Sequence, residues 1–326
     1  MTETPTGGWQ GEGPEAHLQL TPEENRTAIA RWQRAQAARG RLDSMMKTIQ
    51  QGTAETHGSR LEGLEHSLKG LDSFRRKAAT AADRGVSVEA TGRKVEDLNR
   101  YTMSFPPETY TEGTKRAYEQ LREHGYEPIP GKEQNLWEDP VYKGVNTSWQ
   151  NAETQEKFEL QFHTPDSFRI KSETHELYEL ARSGVFEEIT EGNQEQADEY
   201  KAASDILQNE YYQDIDIPPG VEQLAERKVR ATLDPGVRPH IIEEVRTMEA
   251  ELKAENAAKA ESARQEPGAE ISPEVSEDLS ELLRDDGPSP LDRLKPSAQQ
   301  EPAPSALPAV ELPQQNLGQA PKGPRL

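Results

Sequence analysis

Residues 158–164 read Phe-Glu-Leu-Gln-Phe-His-Thr, apolar and polar in strict alternation. A period of two belongs to a strand, so Phe158, Leu160 and Phe162 share one face and Glu159, Gln161 and His163 the other. The strand is expected over 157–164, with companions over 98–105 and 144–149. Elsewhere the apolar period is helical. Thr21-Pro22-Glu23-Glu24 combines a capping threonine, a proline suited to the first helical turn and a glutamate that closes a capping box. Ile29, Trp32, Ala35, Leu42 and Met46 follow at roughly helical spacing, predicting a helix to about residue 50. Further helices are predicted over 64–85, 111–124, 165–183, 194–212 and 221–263, the last two split by Pro218-Pro219-Gly220. No fixed-period repeat is present.

Helices and strands that alternate in this way predict an α+β fold around one small mixed sheet flanked by helices. Composition confines that fold to part of the chain. Hydrophobic residues make up only 32% of the 326, too few for end-to-end packing. All 19 aromatic residues lie at or before Tyr212. Aromatic side chains dominate core burial, so the compact region is expected to end near or soon after there. From residue 266 onward the chain is rich in Pro, Glu, Ser and Gln and holds 11 of the 24 prolines, which predicts disorder. The expected organisation is a disordered N-terminus (1–19), a helical extension (20–56), a mixed domain (57–190), a second helical extension (191–263) and a disordered Pro/Glu-rich tail (264–326). Within the tail, Leu279, Leu282 and Leu283 sit at helical spacing and could dock in a protein partner's groove.

The net charge of −21 argues against a general coat for DNA or RNA. With no cysteine, thiolate zinc sites, disulfides and cysteine nucleophiles are excluded. The first 19 residues lack the basic start and apolar core of a signal peptide, and no apolar run is long enough for a membrane span. A cytoplasmic address is expected.

Four stretches carry candidate chemistry. Lys69, Ser73 and Lys77, spaced i, i+4, i+8, would line one face of a helix as a phosphate-binding stripe, or simply as a basic surface. Asp97 leads the apolar strand that contains Arg100; an Asp there can hold Mg²⁺ or cap a turn. Tyr142 and Lys143 precede Gly144 and Asn146 at a strand entry, where a tyrosine can stack on a nucleobase or merely pack. Glu159, Gln161 and His163 line the polar face of the alternating strand, which could equally be the wet face of a sheet. Trp137 and Trp149 read as core, and His175 lacks the second histidine a zinc site needs.

Taken in order, these stretches resemble the synthetase domain of the RelA/SpoT-like alarmone family over roughly residues 57–185. The Lys-x-x-x-Ser-x-x-x-Lys face corresponds to Lys69, Ser73 and Lys77, and the metal-binding Asp-Leu strand start to Asp97. The family's Gly-Tyr-x-Ser-x-His-Thr segment is similar to residues 142–147, and its Glu-x-Gln-x-Arg-Thr strand to residues 159–164. Here Val141 replaces the glycine, Asn146 the histidine and His163 the arginine. Thr102 stands where the family often carries an arginine. The resemblance implies a nucleotidyltransferase-like sheet in a synthetase-only member. The implied activity moves the pyrophosphate of ATP onto the 3′-hydroxyl of a nucleotide acceptor, guanine by preference. It further implies Mg²⁺ held by Asp97 and Glu159, with Glu159 also able to take the hydroxyl proton. ATP phosphates would be held by Lys69, Ser73, Lys77 and Arg100, and the acceptor by Tyr142, Lys143, Asn146, Gln161 and His163. Two alternatives stay open. One is a toxin-type relative acting on adenine nucleotides or tRNA 3′ ends, with Arg75, Arg76, Arg84, Arg93 and Lys94 meeting tRNA. The other is a non-catalytic binding or assembly module on the same fold.

Overall fold

The computed structural model describes residues 7–11 and 15–265. They fall in the first of two compact units, Met1–Gly287; the second, Pro288–Leu326, lies outside the described residues. The Leu279, Leu282 and Leu283 motif and tail residues 266–326 lie outside them as well.

Strands β1 (Trp9–Gln10) and β2 (Gln19–Leu20) pair antiparallel in the stretch expected to be a disordered leader. Next comes α1 (Pro22–His57), started by the predicted capping box with both reciprocal bonds in place. It runs seven residues past the expected end because burial continues to Thr53. Gly58 then closes the helix in the left-handed conformation, φ 68°. The chain continues through β3 (Arg60–Glu62), α2 (Leu71–Asp83), α3 (Val88–Lys94), β4 (Arg100–Ser104) and α4 (Tyr110–Glu123). It then forms β5 (Tyr126–Pro128), β6 (Gln134–Asn135), β7 (Val145–Asn151) and β8 (Lys157–His163). Five helices complete it: α5 (Pro165–Glu173), α6 (His175–Arg182), α7 (Val185–Ile189), α8 (Gln194–Tyr212) and α9 (Pro239–Gln265).

The sheet order is β3-β4-β8-β7-β5, with β6 also on β7. Only the β4–β8 pair is parallel, so the sheet is mixed and the fold is α+β. One face is the core. Tyr101, Met103, Val145, Trp149, Phe158, Leu160 and Phe162 pack there against Leu42, Met46 and Ile49 of α1 and against Ala117, Tyr118 and Leu121 of α4. A second cluster joins β2, α1, α2 and α3 through Leu20, Ala28, Phe74, Ala78 and Val88. A third joins α6 to α9.

Three predicted helices are corrected. The helix predicted over 64–85 begins only at Leu71. The Lys69 amide is drawn to the Leu98 carbonyl (2.9 Å) and Leu68 bridges Asn99, so Lys69 precedes the helix. The helix over 165–183 is broken at Thr174, whose hydroxyl bonds back to the Ile170 carbonyl at 2.9 Å. The helix over 221–263 starts at Pro239, and a turn at Val221–Gln223 and an irregular stretch precede it. Nor does the packed region end at Tyr212. Val221 and Leu224 join the sheet core, and Val237, Ile241 and Val245 bury against α6 and α8 with aliphatic rather than aromatic side chains. Among the described residues, no helix is long and apolar enough to cross a membrane.

Candidate functional site

The second face of the sheet is polar, and most of it is buried. Alternation puts Arg100, Thr102 and Ser104 of β4 on it, opposite Tyr101 and Met103 in the core. Register carries the row across: Arg100 faces Glu159, Thr102 faces Gln161 and Ser104 faces His163 on the parallel strand β8. On the other side of β8, Ser148 faces Glu159 and Asn146 faces Gln161, and Gln134 of β6 faces Asn146. Gln161 is 1% exposed and His163 is fully buried, so this is no wet sheet face. Burying so many polar groups is tolerable only if they satisfy one another.

Asp97 lies three residues before β4. Its carboxylate accepts from Lys77 Nζ at 3.1 Å on both oxygens and from Lys69 Nζ at 3.4 Å. The Lys69 side chain is 2% exposed, and a charge buried that deep is costly without a counter-charge beside it. The basic pair expected from helical spacing is thus brought together, though Lys69 arrives from the segment before α2. Ser73, one turn ahead of Lys77 on α2, is buried beside it in sequence. The geometry gathers Lys69, Lys77 and Asp97 into one cluster. Adjacent parallel strands pair Arg100, three residues after Asp97, with Glu159.

Along β8 the carboxamide of Gln161 donates to Glu159 Oε1 at 2.6 Å and accepts from Lys171 Nζ of α5 at 2.7 Å. Lys171 carries no motif of its own. Only the Thr164-Pro165 helix start, which sets it two turns into α5, could have pointed to it.

Tyr142 and His163 form a second chain. The Tyr142 hydroxyl donates to Asn146 Oδ1 (2.8 Å) and lies 2.9 Å from His163 Nε2, while His163 Nδ1 lies 3.1 Å from Ser167 Oγ. Lys143 is turned away from this chain. Its ammonium donates to the carbonyls of Trp137 (3.0 Å) and Asp139 (2.8 Å), and burial lowers its pKa against the opposing pull of Asp139 and Glu138. Two further residues had no signal in the sequence. Arg230 lays its guanidinium over the Tyr142 ring at 5.0 Å, and the fully buried Asp139 holds the segment that carries it.

Trp137 and Trp149 are both core, as expected, and His175 lies 3.9 Å from Glu179. No described group of three or more His, Asp or Glu side chains is arranged to hold a metal. Asp97 and Glu159 supply two carboxylates against three cations, Lys69, Lys77 and Arg100. That local balance disfavours a bare divalent ion. It fits Mg²⁺ arriving with nucleotide phosphates, because magnesium is commonly bound by one or two carboxylates plus phosphate oxygens and water.

Comparison with models of known protein families finds no match, and comparison with curated proteins finds none.

Proposed function

We propose that the chain is a nucleotide 3′-pyrophosphokinase that uses ATP as donor and a nucleotide, guanine by preference, as acceptor. The observation that carries this reading is the Lys69–Asp97–Lys77 cluster, whose aspartate comes three residues ahead of a strand that pairs Arg100 with Glu159 on a buried polar sheet face. Triphosphate would take over the two ammonium groups from Asp97, and Arg100 would add a third cation. Asp97, released, and Glu159 would hold the magnesium that comes with the nucleotide. When bound, the ion neutralises charge on the phosphates.

The reaction is one displacement. The acceptor 3′-oxygen attacks the β-phosphorus of ATP, the bond from that phosphorus to the bridging oxygen of AMP breaks, and AMP leaves. The hydroxyl proton passes to Glu159, help of roughly 10²- to 10⁴-fold. Gln161, anchored by Lys171, orients Glu159 through the bond to Oε1. Most of the remaining rate comes from positioning and charge, as in phosphoryl-type transfer generally. Tyr142 would meet the acceptor base, with Asn146 and His163 supporting the ring from its hydroxyl end.

Labelled ATP incubated with Mg²⁺ and GDP, GTP, AMP or ATP tests the reading through its products. A pyrophosphorylated acceptor made by the wild type and lost in Glu159→Gln, with the melting transition kept, supports it. Product made equally by Glu159→Gln removes that residue from the mechanism. A second reading, a non-catalytic module, is favoured by one observation: Tyr142 and Lys143 are engaged by Arg230 and by backbone carbonyls. Failure to bind Mg·ATP by calorimetry would favour it.

A further inference from the structure

Residues 224–237 connect the sheet core to α9 without regular secondary structure beyond a single bridge, yet they are tightly held. The Asn135 amide donates to the Glu226 carbonyl (3.0 Å) and the Lys228 amide to the Asn135 carbonyl (2.7 Å), while Arg227 forms a parallel bridge with Asn135. The segment therefore adds itself to the free edge of β6. Two residues on, the chain meets Asp139, whose side chain is 0% exposed. Asp139 Oδ2 accepts from the backbone amides of Arg230 (2.5 Å) and Ala231 (3.3 Å), and Oδ1 accepts from the Val141 amide (3.0 Å). A buried carboxylate is costly unless such donors surround it, so its preference for these amides fixes the strap's position. The consequence lies at Arg230. Its guanidinium is set over the Tyr142 ring, 5.0 Å from the centroid, and the tyrosine is left 5% exposed.

We propose that residues 226–237 form a strap that regulates the acceptor end of the site: Arg230 plugs the face of Tyr142, and Asp139 is the latch that keeps it there. The inference rests on Tyr142 being the acceptor platform. A nucleobase and a guanidinium compete for the same π-face, since both gain from its quadrupole. Acceptor binding then requires the strap to swing off. Opening breaks two amide bonds to Asp139, the 4.0 Å Arg230–Asp139 ion pair, the Asn135 bonds at residues 226 and 228 and one cation–π contact, none of which involves Lys69, Asp97 or Lys77. ATP affinity is accordingly independent of the strap.

Hydrogen–deuterium exchange and calorimetry on the full chain separate the two claims. Asp139→Asn trades an acceptor oxygen for a donor and should speed exchange at the amides of residues 228–232 while β7 and β8 stay protected. Unchanged exchange there overturns the latch. Arg230→Ala keeps the backbone-amide bonds to Asp139, loses only the 4.0 Å side-chain ion pair with it, and should bind GDP about tenfold tighter, the worth of one desolvated cation–π contact, with unaltered ATP affinity. Equal or weaker GDP binding beside normal ATP binding overturns the plug. If neither the wild type nor Arg230→Ala binds GDP or ATP, the nucleotide reading itself fails and takes the plug with it, and the exchange data alone then decide the latch. Should Asp139→Asn not fold, exchange in Arg230→Ala decides the latch: protection kept at 230 and 231 supports it, and protection lost there overturns it.

Discussion

The ammonium of Lys69, on a side chain 2% exposed, lies 3.4 Å from the Asp97 carboxylate, which Lys77 approaches at 3.1 Å from the solvent side. The two lysines are not equivalent partners. Lys77 is 27% exposed and can be rehydrated, whereas Lys69 cannot without moving. Asp97→Ala should therefore cost about 3–5 kcal/mol, the penalty for stranding a buried charge. Lys77→Ala should cost about 1 kcal/mol or less. Urea unfolding followed by tryptophan fluorescence measures both, and equal losses would contradict the asymmetry.

Gly144 precedes β7 where no side chain fits. A Cβ there would stand 2.8 Å from the Phe162 carbonyl oxygen and 2.9 Å from His163 Cε1. The carbonyl belongs to the sheet and the imidazole is fully buried, so neither can yield cheaply. Gly144→Ala should cost about 1–3 kcal/mol and loosen the His163–Tyr142 contact. A melting temperature equal to wild type would show that the strand start can shift without penalty.

Tyr142→Phe removes one hydroxyl that serves two neighbours, Asn146 Oδ1 and His163 Nε2. Leaving buried partners unsatisfied costs about 1–3 kcal/mol, yet the ring remains. Stability should fall by that amount while acceptor KM changes far less than in Tyr142→Ala. If the two variants raise KM alike, the hydroxyl rather than the ring meets the acceptor.

A pH response is expected where α9 begins. Arg238 grips Glu199 of α8 with side-chain bonds at 2.6 to 3.1 Å and adds its backbone amide at 3.0 Å. The side-chain bonds first, then the amide, pull the Glu199 pKa down to about 2. A carboxylate depressed on folding stabilises above its unfolded pKa and loses that contribution as pH falls through the folded one. The α8–α9 contact should therefore weaken between about pH 4.5 and pH 2, from the ordinary carboxylate value to the shifted one. Exchange at α9 amides across that interval, compared with Glu199→Gln, checks it; a variant with the same acid profile as wild type would exclude this pair.

Local rules were enough for much of the fold. The capping box at Thr21 and Glu24 is satisfied within four residues, so α1 starts where its sequence says. The two-residue period of 158–162 needs only a sheet to bury against, and all three of its apolar members are fully buried. The helix expected from residue 221 does not form before Pro239, for the opposite reason. The backbone partners of that stretch are Asn135 and Asp139, about ninety residues earlier in the chain, and no local pattern announces bonds of that reach. Lys69, expected on the helix face of Ser73 and Lys77, instead precedes α2, and its long side chain reaches Asp97 from that loop.

Chain order alone settled where α1, α5 and α8 begin, which side of β8 is apolar and which residues could bear charge, since each of these depends on neighbours one to four positions away. Folding in three dimensions decided that the opposite side of β8 is buried, that Asp97 is shared by two lysines and that Arg230 lies on Tyr142. Those facts depend on desolvation and on pairing between distant segments, and both exist only once the sheet has closed over its polar face.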